Sequence, residues 1–246
     1  MIYFASDFHL GAPNPEKSRE RELKIIAWLD SISHDATELF LVGDIFDMWF
    51  EYKTVVPKGF LRFLSRLVTL RQRGVEIHLF SGNHDIWFFD YFSSELGVHI
   101  YHQPTVFERN GKFFFVGHGD GLGPNDTGYK LMKKFFRNRF CQFLFGWLHP
   151  DIGLRLASYL SRKSRASQPQ KEVFVNAEKE WLFAYANRKL QQLPHIDFFV
   201  FGHRHLPLDL VLDNQKARYV NLGEWINYQS YAIFDQNSLQ LKFYQD

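Results

Sequence analysis

The stretch Ile77-His-Leu-Phe-Ser-Gly-Asn-His-Asp85 decides the fold. An apolar run stops at a glycine, and three side chains able to bind metal or move protons follow without a spacer. Four other segments do the same. IYFAS runs into Asp7 and His9; LFLVG into Asp44, with Asp47 three residues on; FFFVG into His118, Gly119 and Asp120; and FFVFG into His203 and His205. In four of the five cases a glycine (Gly43, Gly82, Gly117, Gly202) immediately precedes the polar residue. Glycine permits tight turns and lets backbone approach a ligand closely. In sheets covered by helices, sites collect at the carboxyl ends of strands.

Working outward, IYFAS, residues 38–43 and residues 75–82 read as buried strands. Helices are expected over about 16–33, with Leu23, Ile26, Ala27 and Leu29 as the apolar positions, and over about 57–73. This β-α-β-α-β rhythm favours a parallel sheet covered by helices. After His102 the pattern turns to hairpins. TVFERNGKFFFVG folds around Asn110-Gly111, and two further antiparallel pairs close the chain after DFFVFG. The expectation is a mixed α/β system in one domain, residues 1–246.

Residues 127–165 stand apart. Lys130, Lys133, Lys134 and Arg137 recur at helical spacing on one face, with Leu131, Met132, Phe135, Phe136, Phe140 and Phe143 opposite. A second helix is expected after His149-Pro150, at about 151–163. Residues 129–165 hold nine Lys/Arg against one acid, Asp151, although the chain as a whole carries only +2. Such asymmetry points to an anionic partner. The greasy face either packs on the core like that of any surface helix or serves as a lid that meets acyl chains or a membrane surface.

A single cysteine, Cys141, excludes an intrachain disulfide and suits a reducing compartment. Asp7 comes too early for a secretory leader, and the longest greasy stretch, Phe140–Leu148, is far short of the roughly 20 residues of a membrane span. The cations are confined to one short greasy segment, which makes a poor nucleic-acid footprint, so no nucleic acid is expected.

The donors Asp7, His9, Asp44, Asn83, His118, His203 and His205 form a mixed N/O set without thiolate. That set suits Mn²⁺, Fe²⁺ or Zn²⁺ and is a poor match for Ca²⁺. Seven donors are too many for one tetrahedral ion, but they suffice for two ions that share a carboxylate. Such a pair can clamp a phosphoryl group and lower the pKa of water.

The series D-x-H (7, 9), GD-x-x-D (43–47), GNHD (82–85), GHGD (117–120) and GHRH (202–205) resembles the calcineurin-like metallophosphoesterases. The resemblance implies a four-layer α/β/β/α sandwich and a dinuclear centre. Asp7, His9, Asp44 and His205 would hold one metal, and Asp44, Asn83, His118 and His203 the other. SDFHLGAP, LVGDIFDMWFEY, GHGDGLGPNDTGYKLMKKFFRNR and NLGEWINY are similar to the bacterial UDP-2,3-diacylglucosamine diphosphatases of lipid A biosynthesis, which carry a basic, greasy helical insertion after GHGD. This narrower resemblance implies a Mn²⁺-type enzyme, peripheral on the cytoplasmic face of the inner membrane. It would hydrolyse the pyrophosphate of UDP-2,3-diacylglucosamine to UMP and 2,3-diacylglucosamine 1-phosphate. Phe135, Phe136, Phe140, Phe143 and Trp147 would line an acyl slot. Asp126, Tyr129, Lys133, Lys134, Arg162, Lys163 and Arg165 are the expected substrate contacts. His84 stands where the proteobacterial members carry Arg. As in the wider superfamily it would bond the phosphate and protonate the leaving group, with Asp85 orienting its ring. The alternatives are a phosphoesterase for soluble nucleotides or phosphomonoesters, and a non-catalytic scaffold of the same fold.

Overall fold

The computed structural model describes residues 1–123, 127–166 and 174–245; within them the side chains of Thr127, Tyr129 and residues 162–166 fall outside the described part. Two sheets form the centre. The first runs β11 (Leu239–Phe243), β10 (Ser230–Phe234), β1 (Ile2–Ala5), β2 (Glu38–Val42), β3 (Glu76–Phe80) and β4 (His99–Tyr101). Its β1 to β4 are parallel, and β10 and β11 pair antiparallel at one side. The second runs β5 (Thr105–Arg109), β6 (Lys112–Gly117), β7 (Phe198–Phe201), β9 (Arg218–Leu222) and β8 (Pro207–Val211). There β6, β7 and β9 are parallel, with antiparallel strands at both edges.

Strand alternation assigns every apolar residue to one of two faces. Phe4, Phe40, Val42 and Phe80 face the second sheet and pack with Phe114, Val116, Phe198 and Val200. The Phe4 ring lies 5.7 Å from that of Phe114, and Phe114 lies 5.0 Å from Phe198. Seven of the 27 phenylalanines (Phe4, Phe40, Phe80, Phe107, Phe114, Phe198 and Phe234) lie between the sheets. The intervening residues Tyr3, Leu39, Leu41, Ile77 and Leu79 face outward onto α1 (Pro15–Ile32), α2 (Leu61–Gln72) and α3 (Tyr91–Leu96). On the far side, Phe115, Phe199 and Phe201 meet Leu182, Ala186 and Leu190 of α7 (Trp181–Gln192). The result is the expected four-layer α/β/β/α sandwich.

Several local expectations shift. The buried face of α1 is Ile25, Trp28, Leu29 and Ile32, while Leu23 is exposed. The bulk of Trp28 sets the face at i, i+3, i+4 and i+7. Helix α2 starts at Leu61, later than residue 57, because the residue before it, Phe60, has a left-handed backbone (φ 54°) that no helix continues. The sequence reading passed over α3, β4 and α7 altogether.

The basic segment forms three helices, α4 (Thr127–Phe136), α5 (Arg139–Gly146) and α6 (Pro150–Ala166). The break between α4 and α5 falls at Asn138, whose side chain accepts from the N–H groups of Phe140 and Cys141. The anchor is small: Phe136, Phe145 and Leu154 pack on Phe50, Ile86 and Trp87. Trp87 Nε1 donates to the Phe136 carbonyl at 2.8 Å. Leu131, Met132, Phe135, Phe140, Phe143 and Trp147 stay exposed, Trp147 by 77%. Apart from Phe136, the greasy face therefore does not pack on the core. No helix among the described residues is long and apolar enough to cross a membrane.

Candidate metal centre

Strands β1, β2 and β3 lie side by side, so their carboxyl ends deliver Asp7, Asp44 and Asn83 to one place. Strands β6 and β7, neighbours in the other sheet, deliver His118 and the loop with His203 and His205. Beyond the strand ends the loops stay stitched together: Asp7 N–H donates to the Gly43 carbonyl at 3.0 Å, His9 N–H to Asp44 O at 2.9 Å and Gly202 N–H to His118 O at 3.0 Å.

Five of the seven predicted donors have positive φ: Asp7 (55°), His9 (45°), Asp44 (52°), His203 (69°) and His205 (51°). This region is unfavourable for residues other than glycine, and such strain gathers where the fold forces side chains onto a common point. The glycines serve close approach. A Cβ at Gly43 would sit 2.5 Å from His118 Nδ1, and one at Gly82 would collide with Asp44 Oδ1.

The donor atoms converge. His205 Nε2 is 3.2 Å from Asp7 Oδ1 and 3.1 Å from His9 Nε2, which is itself 3.8 Å from Asp7 Oδ1. His118 Nε2 is 3.3 Å from Asp44 Oδ2 and 3.2 Å from Asn83 Oδ1. His203 joins Asp44 and His118 in a group whose donor atoms all lie within 4.8 Å of one another. Asp44 Oδ2 is also 4.0 Å from His9 Nε2, so it stands between the two halves. An ion about 2.0–2.2 Å from each nitrogen or oxygen ligand brings donors to roughly these separations.

Electrostatics makes the same demand. Asp7 and Asp44 are buried, and among the described residues no Lys or Arg pairs with either. Buried carboxylates need a compensating charge. Histidine protons supply it here. Burial opposes a charge on His118, but Asp44 outweighs burial and takes the ring up to about 10. His203, buried and beside that charge, is pushed down to about 4. His118 Nδ1 lies 2.9 Å from the Val42 carbonyl, a contact that needs the proton on Nδ1 and leaves Nε2 for the centre. Donor set, spacing and buried carboxylates without a Lys or Arg partner among the described residues all fit divalent cations.

His84 lies at the rim, its ring 5.0 Å from that of His9. Its orientation is set differently from the expectation. The Asp85 carboxylate makes no hydrogen bond to it and instead accepts four backbone N–H groups, those of Asp44 (3.2 Å), Ile45 (2.7 Å), Phe46 (3.2 Å) and Gly82 (2.8 Å). Burial and the neighbouring Asp44 carboxylate push Asp85 up to about 7 against those amides. What His84 Nδ1 meets is Ser161 Oγ of α6, at 2.8 Å, and Ser161 in turn donates to Asp47 Oδ1 at 3.0 Å. A serine donating its one proton to Asp47 accepts from Nδ1–H, so Nε2 is the nitrogen left for a substrate.

Lys133 and Lys134 line a cavity beside His118, and Lys133 pairs with the buried Asp120. Asp126 lies outside the described residues, as do the side chains of Tyr129, Arg162, Lys163 and Arg165. Sequence reasoning missed Arg21, which is buried on α1 and donates to the carbonyls of Phe8, His9 and Ala12, each at 2.6 Å. It reads in sequence as one more surface cation of a helix. Ser161 carries no sequence signal, and Asp47 is visible in its block without its partner.

A family model described as calcineurin-like phosphoesterase matches residues 1–207. A Porphyromonas gingivalis protein named UDP-2,3-diacylglucosamine hydrolase is 40% identical over 257 residues, covering 100% of this chain and 98% of its own length. Proteins of the same name from Pseudomonas savastanoi (30% identical, 92% of this chain and 88% of theirs) and Pseudomonas entomophila (29%, 92% and 91%) also match.

Proposed function

The chain belongs to the calcineurin-like phosphoesterase family, and on that footing we propose that it hydrolyses the pyrophosphate of UDP-2,3-diacylglucosamine. Water attacks the α-phosphorus, and UMP and 2,3-diacylglucosamine 1-phosphate leave. The observation that carries the reading is the full-length similarity to the Porphyromonas protein, together with an exposed apolar face beside a cage of seven N/O donors. A phosphoesterase for small soluble substrates has no use for that apolar face.

In this reading Asp7, His9, Asp44 and His205 hold one cation and Asp44, Asn83, His118 and His203 the other, with Mn²⁺ the preferred ion. Two cations so held supply Lewis acidity toward the phosphate oxygens and lower the pKa of water. His84 presents Nε2 to the phosphate and gives a proton to the leaving oxygen, while Ser161 and Asp47 keep the ring from turning. Asp85 pins the loops that carry Asp44 and Asn83. The chain is one domain in which residues 127–165 act as a lid. The lid's exposed phenylalanines and Trp147 cover the acyl chains and rest on the inner face of the cytoplasmic membrane; Asp126, Tyr129, Arg162, Lys163 and Arg165 are further substrate contacts. UMP release from the acylated substrate, with and without added Mn²⁺, tests the reading. Turnover of non-acylated nucleotides at the same rate would favour a soluble-substrate esterase instead, and Asp44→Ala should abolish UMP release while the fold is retained.

A further inference from the structure

Helix α1 begins at Pro15, soon after His9, and its buried stripe changes character along its length. Ile25, Trp28, Leu29 and Ile32 are apolar, whereas the buried positions nearest the metal loop are Ser18, Arg21 and Glu22. A stripe that only packed on a core would be apolar throughout. Ser18 and Arg21 lie three positions apart and so share a face. Both reach residues 8–12, the segment that carries His9. We infer that Arg21, assisted by Ser18, is a positioning residue for the cation of Asp7, His9, Asp44 and His205, and that the cation of Asp44, Asn83, His118 and His203 does not depend on it. The inference rests on the two-cation reading above and goes further by giving each position its own support.

Backbone hydrogen bonding is the first argument. Phe8, His9, Leu10 and Ala12 are buried, so their main-chain polar groups need partners inside the protein. The loop after β2 serves part of the segment. His9 N–H and Leu10 N–H donate to the carbonyls of Asp44 and Ile45, each at 2.9 Å, and the Leu10 carbonyl accepts from Asp47 N–H at 2.9 Å. Helix α1 serves the rest. Arg21 Nε donates to the Phe8 carbonyl and Nη2 to those of His9 and Ala12, all at 2.6 Å, while Gly11 N–H donates to Ser18 Oγ at 2.7 Å. The backbone on either side of the His9 ring is therefore gripped by two elements, and the grip of α1 runs through one guanidinium and one hydroxyl.

Strain is the second argument. Asp7 (φ 55°) and His9 (φ 45°) are left-handed, a conformation that persists in such residues only where the surroundings over-determine it. The rigid planar fork of a guanidinium serves several acceptors at once, which a single ammonium on a flexible stem does poorly. The third argument is the separate support of the other position. The N–H groups that Asp85 accepts belong to Asp44, Ile45, Phe46 and Gly82, none of them within residues 8–12, and the His118 ring is oriented by the Val42 carbonyl. The two supports meet at Asp44, the residue that both cations share.

Titration of the full-length, chelator-treated protein with Mn²⁺, followed by calorimetry and by electron paramagnetic resonance, tests the assignment without substrate. The parent is expected to bind two ions. Arg21→Met keeps the bulk and removes the donors; it should weaken one ion by about 10–100-fold, leave the other nearly unchanged, and replace the spectrum of a coupled ion pair with that of a single ion. Arg21→Lys, the variant to read where Arg21→Met does not fold, should weaken the same ion by about threefold or more. Adding Arg21→Met to His9→Ala should move the remaining ion by less than about threefold, since both changes act on one position. Lys17→Ala, at an exposed position of α1, should alter neither ion. Both ions weakened alike in either Arg21 variant, or both held at parental affinity, would overturn the inference. The two readings fail separately. A parent that binds fewer than two ions ends the two-cation reading and the inference with it, whereas a parent that binds two and an Arg21 variant that keeps both end the inference alone.

Discussion

Asp85→Asn isolates the structural role of the residue that the sequence offers as a catalytic partner. Oδ1 accepts from the N–H groups of Asp44 and Gly82, and Oδ2 accepts from those of Ile45 and Phe46. Asparagine keeps one oxygen for one pair of donors and turns its NH₂ toward the other pair. Two buried N–H groups then lose their acceptor, at about 1–3 kcal/mol each, or about 2–6 kcal/mol together. Against a total stability of about 5–15 kcal/mol this is a large fraction. Urea unfolding at pH 8, where the carboxylate is ionised, should show a lower midpoint at an unchanged m-value. Cation affinity, measured by titration calorimetry on the folded fraction, should drop about 10–100-fold, since the pinned loops carry Asp44 and Asn83. A variant within about 0.5 kcal/mol of the parent, the scale of an inconsequential substitution, would refute this account of the four amides.

Removing the His84 ring with His84→Ala should lower kcat for UMP release by about 10²–10⁴ if the ring transfers a proton, and Ser161→Ala should give a smaller loss in kcat with KM little changed; steady-state kinetics checks both. Glu38 predicts an acid dependence. Its burial would raise the carboxyl, but hydrogen bonds from His78 and Arg109 outweigh that and bring it down to about 2 from an ordinary 4.5. A depressed carboxylate stabilises the fold fully above its unfolded pKa and loses that contribution as pH falls toward about 2, so urea midpoints should fall below pH 4.5, and less steeply in Glu38→Gln. The exposed apolar face of α4 and α5 should carry the protein upward with anionic liposomes in a flotation gradient at low salt; Phe140→Ser combined with Trp147→Ser should reduce this, and flotation of neither protein would count against membrane contact.

What could be read in the chain depended on whether the information was local. Buried parallel strands must be apolar and must end at the surface, so IYFA, LFLV, IHLF and FFVF announced themselves, and the polar residues after them marked the end of the sheet where a site forms. The Asn110-Gly111 hairpin was equally local, because both residues adopt the positive φ that the turn needs. Helix α7 escaped because its core face is defined only by the second sheet that it covers, and the face of α1 was misassigned because several apolar stripes fit the same period.

The sequence by itself determined which residue types would gather, in what order along the chain, and hence the chemistry on offer: carboxylates, imidazoles and a carboxamide, each released from a strand end. Only the tertiary structure decided who faces whom. It gave His84 to Ser161 and Asp47, gave Asp85 to four amides, put Arg21 under the Asp7–His9 loop, and left the greasy side of α4 uncovered. The physical reason is range. Strand and turn preferences act between residues a few positions apart, whereas a hydrogen bond between positions 84 and 161 exists only once packing has brought two distant helices and loops within 3 Å.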